Sequence, residues 1–116
     1  VTAFTKARRL RKKNEYSVVF QNAKKFETPE FLFLYRENDI GFARLGLAIS
    51  KKKIALACER NKIKRLLRET FRVSVLPAVD IIVLVRRKSK NPSTLYFRLN
   101  RVWGDITRLY KPSSPS

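Results

Sequence analysis

The run Val79-Asp80-Ile81-Ile82-Val83-Leu84-Val85 is apolar at six of its seven positions. Successive side chains of a strand point to opposite faces, so a half-buried strand alternates apolar with polar residues. A run without that alternation reads as a strand buried on both faces. The rest of the chain therefore has to build a sheet around it and helices to cover that sheet. "FLFLYR" (Phe31–Arg36) reads as a second strand by its aromatic content. "FARLGLAIS" (Phe42–Ser50) alternates cleanly, with Ala43, Leu45, Leu47 and Ile49 on a core face and Arg44, Gly46, Ala48 and Ser50 on a small, open one. On that open face Gly46 lets something approach the backbone. "RENDIG" between these two strands, with Glu37 and Asp39, reads as a hairpin turn.

Three helices complete the layer. Tyr16, Val19, Phe20 and Ala23 recur at helical spacing, with Asn14 placed to cap that helix, Glu15 in its first turn and "KKFETP" ending it. A second helix opens at "CERNKIKRLLRETF" and runs to about Val75, ahead of Pro77. Leu95, Leu99, Val102, Trp103, Ile106, Leu109 and Tyr110 mark a third, with Trp103 in the core. The predicted order is helix, two strands, helix, strand, helix. It makes one α+β domain over residues 1–116, an α/β sandwich on a small mixed sheet. Residues 1–13 are read as an extended basic segment anchored by Phe4 and Leu10, and 112–116 as a frayed tail.

Charge narrows the function. There are 27 Lys and Arg against 9 Asp and Glu, a net charge of +18, spread along the whole chain. Self-repulsion on that scale opposes a compact state. A polyanion, most often nucleic acid, is the natural compensating partner. The absence of histidine removes the usual general base and the commonest zinc ligand. The single Cys58 allows neither an intrachain disulfide nor a cysteine metal cluster. No apolar run approaches the ~18–20 residues of a membrane span, and no secretory signal is evident, so a cytoplasmic protein without a membrane partner is expected. A protein-only metal nuclease built on Glu37 and Asp39 is the weaker alternative, because turn acids are common.

The second helix concentrates the charge. At about 100° per residue, Ile63, Leu66, Leu67, Thr70 and Phe71 share the arc that docks on the sheet. Asn61, Lys62, Lys64, Arg65, Arg68 and Arg72 cover the opposite arc, with Arg60 at its edge. A solvated helical face usually mixes signs, since opposite charges at i,i+4 stabilise it. Glu69 is the only acid on this arc, and it reaches only Arg65 and Arg72. A phosphate-binding face is the better reading, with arginine forks able to hold two phosphate oxygens each. The second basic run, Arg86, Arg87, Lys88 and Lys90, reads as a loop.

These residues resemble a known family. "ERNKIKRLLRETFR" (Glu59–Arg72) is similar to the signature helix of the bacterial ribonuclease P protein subunit, whose core is Arg-Asn-Arg; here the third position is Lys62. "RLRKKNEYSVVF" (Arg9–Phe20), "RLGLAISKK" (Arg44–Lys52) and "DIIVLVRRK" (Asp80–Lys88) resemble the family's other elements in order. The resemblance implies a left-handed β-α-β crossover, against the general right-handed rule. It implies a protein subunit, likewise without catalytic residues of its own, that assists an RNA subunit in Mg²⁺-dependent removal of the 5′ leader from precursor tRNA. Arg60, Asn61, Lys62, Lys64, Arg65 and Arg68, with Lys51 and Lys52, would face the RNA subunit. Tyr16, Phe20 and Leu34 would line a leader cleft between the first helix and the open sheet face. Mg²⁺ would belong mainly to the RNA, and the protein would act as a monomer within the complex. A structural RNA-binding protein or RNA chaperone is the alternative; it explains the charge but not the ordered resemblance.

Overall fold

A computed structural model describes residues 8–10 and 12–110. Along the chain it contains α1 (Lys13–Asn22), β1 (Lys24–Glu27), β2 (Phe31–Glu37), β3 (Arg44–Ala48), α2 (Ala57–Val73), β4 (Val79–Val85), a 3-10 turn (Pro92–Thr94) and α3 (Leu95–Leu109). The strands form one mixed sheet in the order β1-β2-β4-β3. β4 runs antiparallel to β2 and parallel to β3, so β3, α2 and β4 make a crossover unit. The apolar run is thus an inner strand, buried at every position but the half-buried Leu84.

Each face of the sheet has its own core. On one face, Phe31, Phe33 and Tyr35 of β2 and Ile81, Val83 and Val85 of β4 meet Leu67 and Phe71 of α2 and Leu99, Trp103 and Ile106 of α3. Trp103 is the centre of that layer. Its ring meets Phe33 and Phe71 edge-on at 5.5 and 5.6 Å, the arrangement that ring quadrupoles favour. Its indole N–H donates to Thr70 Oγ1 at 2.8 Å, so no polar atom is left unsatisfied there. On the other face, Leu34 and Ile82 pack with Val19 of α1 and Leu10.

Four expectations change. "KKFE" is not the end of a helix but the edge strand β1, paired with β2 from Lys24↔Tyr35 to Glu27↔Leu32. The hairpin of the protein is this one, closed by Thr28, whose amide donates to Phe31 O and whose hydroxyl accepts from Phe31 N. "RENDIG" joins β2 to β3 across the whole width of β4, so it is a crossover loop and not a hairpin turn. Asn14 does not cap α1; Glu15 reaches back to the Lys12 amide at 3.0 Å and does that work. α2 ends at Val73, where Ser74 Oγ donates to Thr70 O. The extended N-terminal segment is seen at Arg9, which bridges to Leu45, and at buried Leu10, whose amide donates to Leu45 O. Phe4 and the tail 112–116 lie outside the described residues.

Candidate RNA interface

The packed arc of α2 fixes which way its cations point. Leu67, Thr70 and Phe71 are buried, with Ile63 and Leu66 packed beside them. Asn61, Lys62, Arg65 and Arg68 are therefore left exposed, with Lys64 half-buried.

The acids decide how much of that charge is neutralised. Among the described residues, seven of the nine are seen in ion pairs: Glu15 and Asp80 with Arg44, Glu27 with Arg86, Glu30 with Arg98, Glu59 with Lys88, Glu69 with Arg72, and Asp105 with Arg108. Glu69 takes Arg72 and not Arg65. Among the described residues no ion pair reaches Lys62, Lys64, Arg65 or Arg68. One helix face thus carries adjacent cations without internal partners, which is the arrangement a phosphate backbone would neutralise.

Arg60 is different. Its Nη1 donates to Ile54 O and Ala55 O, both at 2.8 Å, and fastens the segment before α2 to the first turn of the helix. Part of its fork is thus structural. Lys51 and Lys52 are exposed in the turn leading into that segment, which is anchored by buried Ile54.

The opposite sheet face reads as three rows across β2, β4 and β3. The register aligns Arg36, Asp80 and Arg44; then Leu34, Ile82 and Gly46; then Leu32, Leu84 and Ala48. The middle row is covered by α1. Leu34 lies on this face but is only 6% exposed, so it forms floor under α1 and presents no free surface. Phe20 is 50% exposed on α1 and available for contact. Tyr16 is half-buried against Gly46, and its hydroxyl is 3.4 Å from Leu47 O. Burial, then the charge of Glu15, raise the Tyr16 phenol above its usual value. The third row is half-open and aliphatic.

Gly46 does permit a close approach, but by this chain's own ring. A Cβ there would lie 2.7 Å from Tyr16 Oη and 3.0 Å from Leu10 Cβ. Gly46→Ala is expected to push α1 off the sheet and cost about 1–3 kcal/mol. Urea unfolding would measure it, and an unchanged midpoint would show that α1 moves freely.

The first row holds a polar lock that pattern reading missed. Asp80 accepts from Arg44 Nε at 2.8 Å, Arg44 Nη2 at 2.7 Å and Asn38 Nδ2 at 2.8 Å, while Arg44 Nη1 donates to Glu15 at 3.1 Å. Hydrogen bonds to Asp80 raise the Arg44 guanidinium further above its already high value. The lock ties α1 to β3 and β4. Its one signal in the sequence is an acid inside an apolar strand.

The comparisons with known proteins agree with this architecture. The family model described as Ribonuclease P matches residues 4–107. The ribonuclease P protein component of Legionella pneumophila (strain Lens) is 54% identical over 110 residues, covering 93% of this chain and 96% of that one. The corresponding component of Marinobacter nauticus is 42% identical over 116 residues, covering 97% and 88%. Among solved structures, the RNase P protein of Staphylococcus aureus matches with a TM-score of 0.74 at 28% identity, covering 91% of this chain and all of the other.

Proposed function

The chain belongs to the ribonuclease P protein family, and from that premise we propose how this protein component of a tRNA-processing ribonucleoprotein endonuclease divides its surface between two RNAs. The α2 face, with Arg60, Asn61, Lys62, Lys64, Arg65 and Arg68 and the adjoining Lys51 and Lys52, binds the RNA subunit. The α1 face binds the 5′ leader of precursor tRNA, with Phe20 as its stacking platform, Tyr16 beside it and Leu34 beneath. The observation that carries this reading is the row of α2 cations that no acid among the described residues pairs with.

Catalysis belongs to the RNA. Among the described residues no three His, Cys, Asp or Glu side chains come close enough to hold a metal ion. The chemistry that Mg²⁺ supplies, activation of water and stabilisation of the leaving oxygen, is assigned to the RNA subunit. The protein's part is electrostatic and positional. A fixed cationic surface lets two polyanions approach with fewer divalent ions, and the leader contact favours precursor over mature tRNA.

Reconstitution tests this. The protein mixed with a bacterial ribonuclease P RNA should restore cleavage of precursor tRNA at low Mg²⁺, where neither component suffices. RNA binding without restored cleavage would make this chain a general RNA-binding sandwich. Within that assay, Phe20→Ala should lower the preference for precursor over mature tRNA by about 5- to 150-fold, the range of one base–aromatic stack. RNA-subunit affinity should hold, since the ring is half-exposed. Equal loss of both affinities, or a lowered unfolding midpoint, would return Phe20 to a packing role.

A further inference from the structure

Beside the free cations of α2, with Lys62 on its rim, a cleft of about 450 Å³ opens between the helix and the 86–92 loop. That volume is in the range of small-ligand sites, about 300–1,000 Å³. Phe31 forms the floor, Ile63 and Leu66 one wall, and Pro92 and Leu95 the other. The rim is charged. Lys62 and Arg87 flank the mouth, and Lys88 Nζ meets Glu59 Oε2 across it at 2.5 Å.

The basic loop is held in place. Glu30 is 7% exposed, and its carboxylate accepts from Arg98 Nη1 at 2.6 Å and Ser89 Oγ at 3.2 Å. Arg98 Nη2 in turn donates to Ser89 Oγ and Asn91 O, and Glu30 O accepts from the Arg86 amide at 2.7 Å. A buried carboxylate is costly to desolvate, and a loop that merely carried solvated lysines would not need one. The network instead fixes the loop at a set distance from α2, which is what a preorganised site requires.

We propose that this cleft holds one unstacked nucleotide of the RNA subunit. The base lies between the aliphatic walls, and its phosphate meets Arg87 and Lys62. An apolar slot with a cationic mouth matches a ligand that is planar and apolar at one end and anionic at the other. The RNA subunit is the source because Lys62 belongs to both the cleft rim and the RNA-facing arc, whereas the leader is assigned to the opposite sheet face. The assignment therefore rests on the α2 reading above.

RNA-subunit affinity measured across a salt series separates the two. Arg87→Ala should reduce the slope of log affinity against log salt by about one. Ile63→Trp, which fills the slot without changing charge, should weaken binding about tenfold with the slope unchanged. Arg65→Ala serves as the control on the α2 face. If Arg65→Ala weakens binding while both cleft variants bind like wild type, the cleft is not a site and the α2 reading stands. If all three bind like wild type, both readings fail. Loss of precursor discrimination with unchanged RNA-subunit affinity would assign the nucleotide to the substrate and overturn the proposal. Should Ile63→Trp lose its fold by circular dichroism, ultraviolet cross-linking of the wild-type complex decides. Nucleotide adducts on Ile63, Leu66 or residues 87–95 are expected, and adducts only elsewhere on the protein, the exposed α2 cations included, would refute the site.

Discussion

Replacing Arg65 and Arg68 together by alanine is expected to weaken RNA-subunit binding by about 100-fold, because two charge-assisted hydrogen bonds contribute about 1.5 kcal/mol or more each. The slope of log affinity against log salt should fall by about two, one for each phosphate no longer neutralised. Both side chains are exposed, and neither is in an ion pair among the described residues, so unfolding should be unaffected. That is why the pair is preferred to Arg60, whose replacement would also free the Ile54 and Ala55 carbonyls. Filter binding from low to high salt, with circular dichroism beside it, measures all three quantities. A weaker complex with an undiminished slope would mean that the arginines touch something other than phosphate.

Removing the carboxylate of Asp80 is expected to be the most destabilising single charge change in the molecule. Its side chain is 9% exposed and accepts from both Arg44 and Asn38. Asp80→Ala leaves the Arg44 guanidinium mostly buried with Glu15 alone, in a protein of net charge +18. Breaking a buried pair from one side costs about 3–5 kcal/mol, a large share of the roughly 5–15 kcal/mol that holds a domain folded. Urea titration should show the midpoint falling accordingly. Arg44→Met with Asp80→Leu should recover much of the loss, since an apolar pair needs no partner. A loss below about 1 kcal/mol in the single variant would mean that water enters and screens the pair.

These two predictions rest on features that were unequally legible in the sequence. The arc of α2 followed from residue spacing because helical geometry fixes which side chains share a face. The inner position of β4 followed from its missing alternation. The short edge strand β1 did not, because Lys24, Lys25 and Glu27 are the charges that keep a free edge from pairing with another molecule, and such residues disguise a strand. "RENDIG" has the composition of a tight turn, yet composition says nothing about which strands the turn connects. The Asp80 lock and the Glu30 brace are long-range pairings, with partners 36 and 68 residues apart for their arginines. Nothing local announces them. Leu34 falls in the strand that the run "FLFLYR" predicts, but only packing shows that α1 covers it. That no acid among the described residues pairs with Lys62, Lys64, Arg65 or Arg68 is seen only once the partners of Glu59 and Glu69 are known.

The strand order has a consequence for how the chain is made. β2 and β3 are complete long before β4 is synthesised, yet they never touch each other as neighbours, because β4 lies between them. Until residue 85 has been added, β1 and β2 are the only two of the four strands that pair with each other, and an isolated hairpin is marginal in water. α2 emerges before the strand it packs over. A nascent chain therefore displays this strongly basic helix with nothing beneath it, and assembly of the sheet is deferred to a single late event. Chains truncated before Val79 would lack more than a strand. They would lack the one segment through which every other layer is joined.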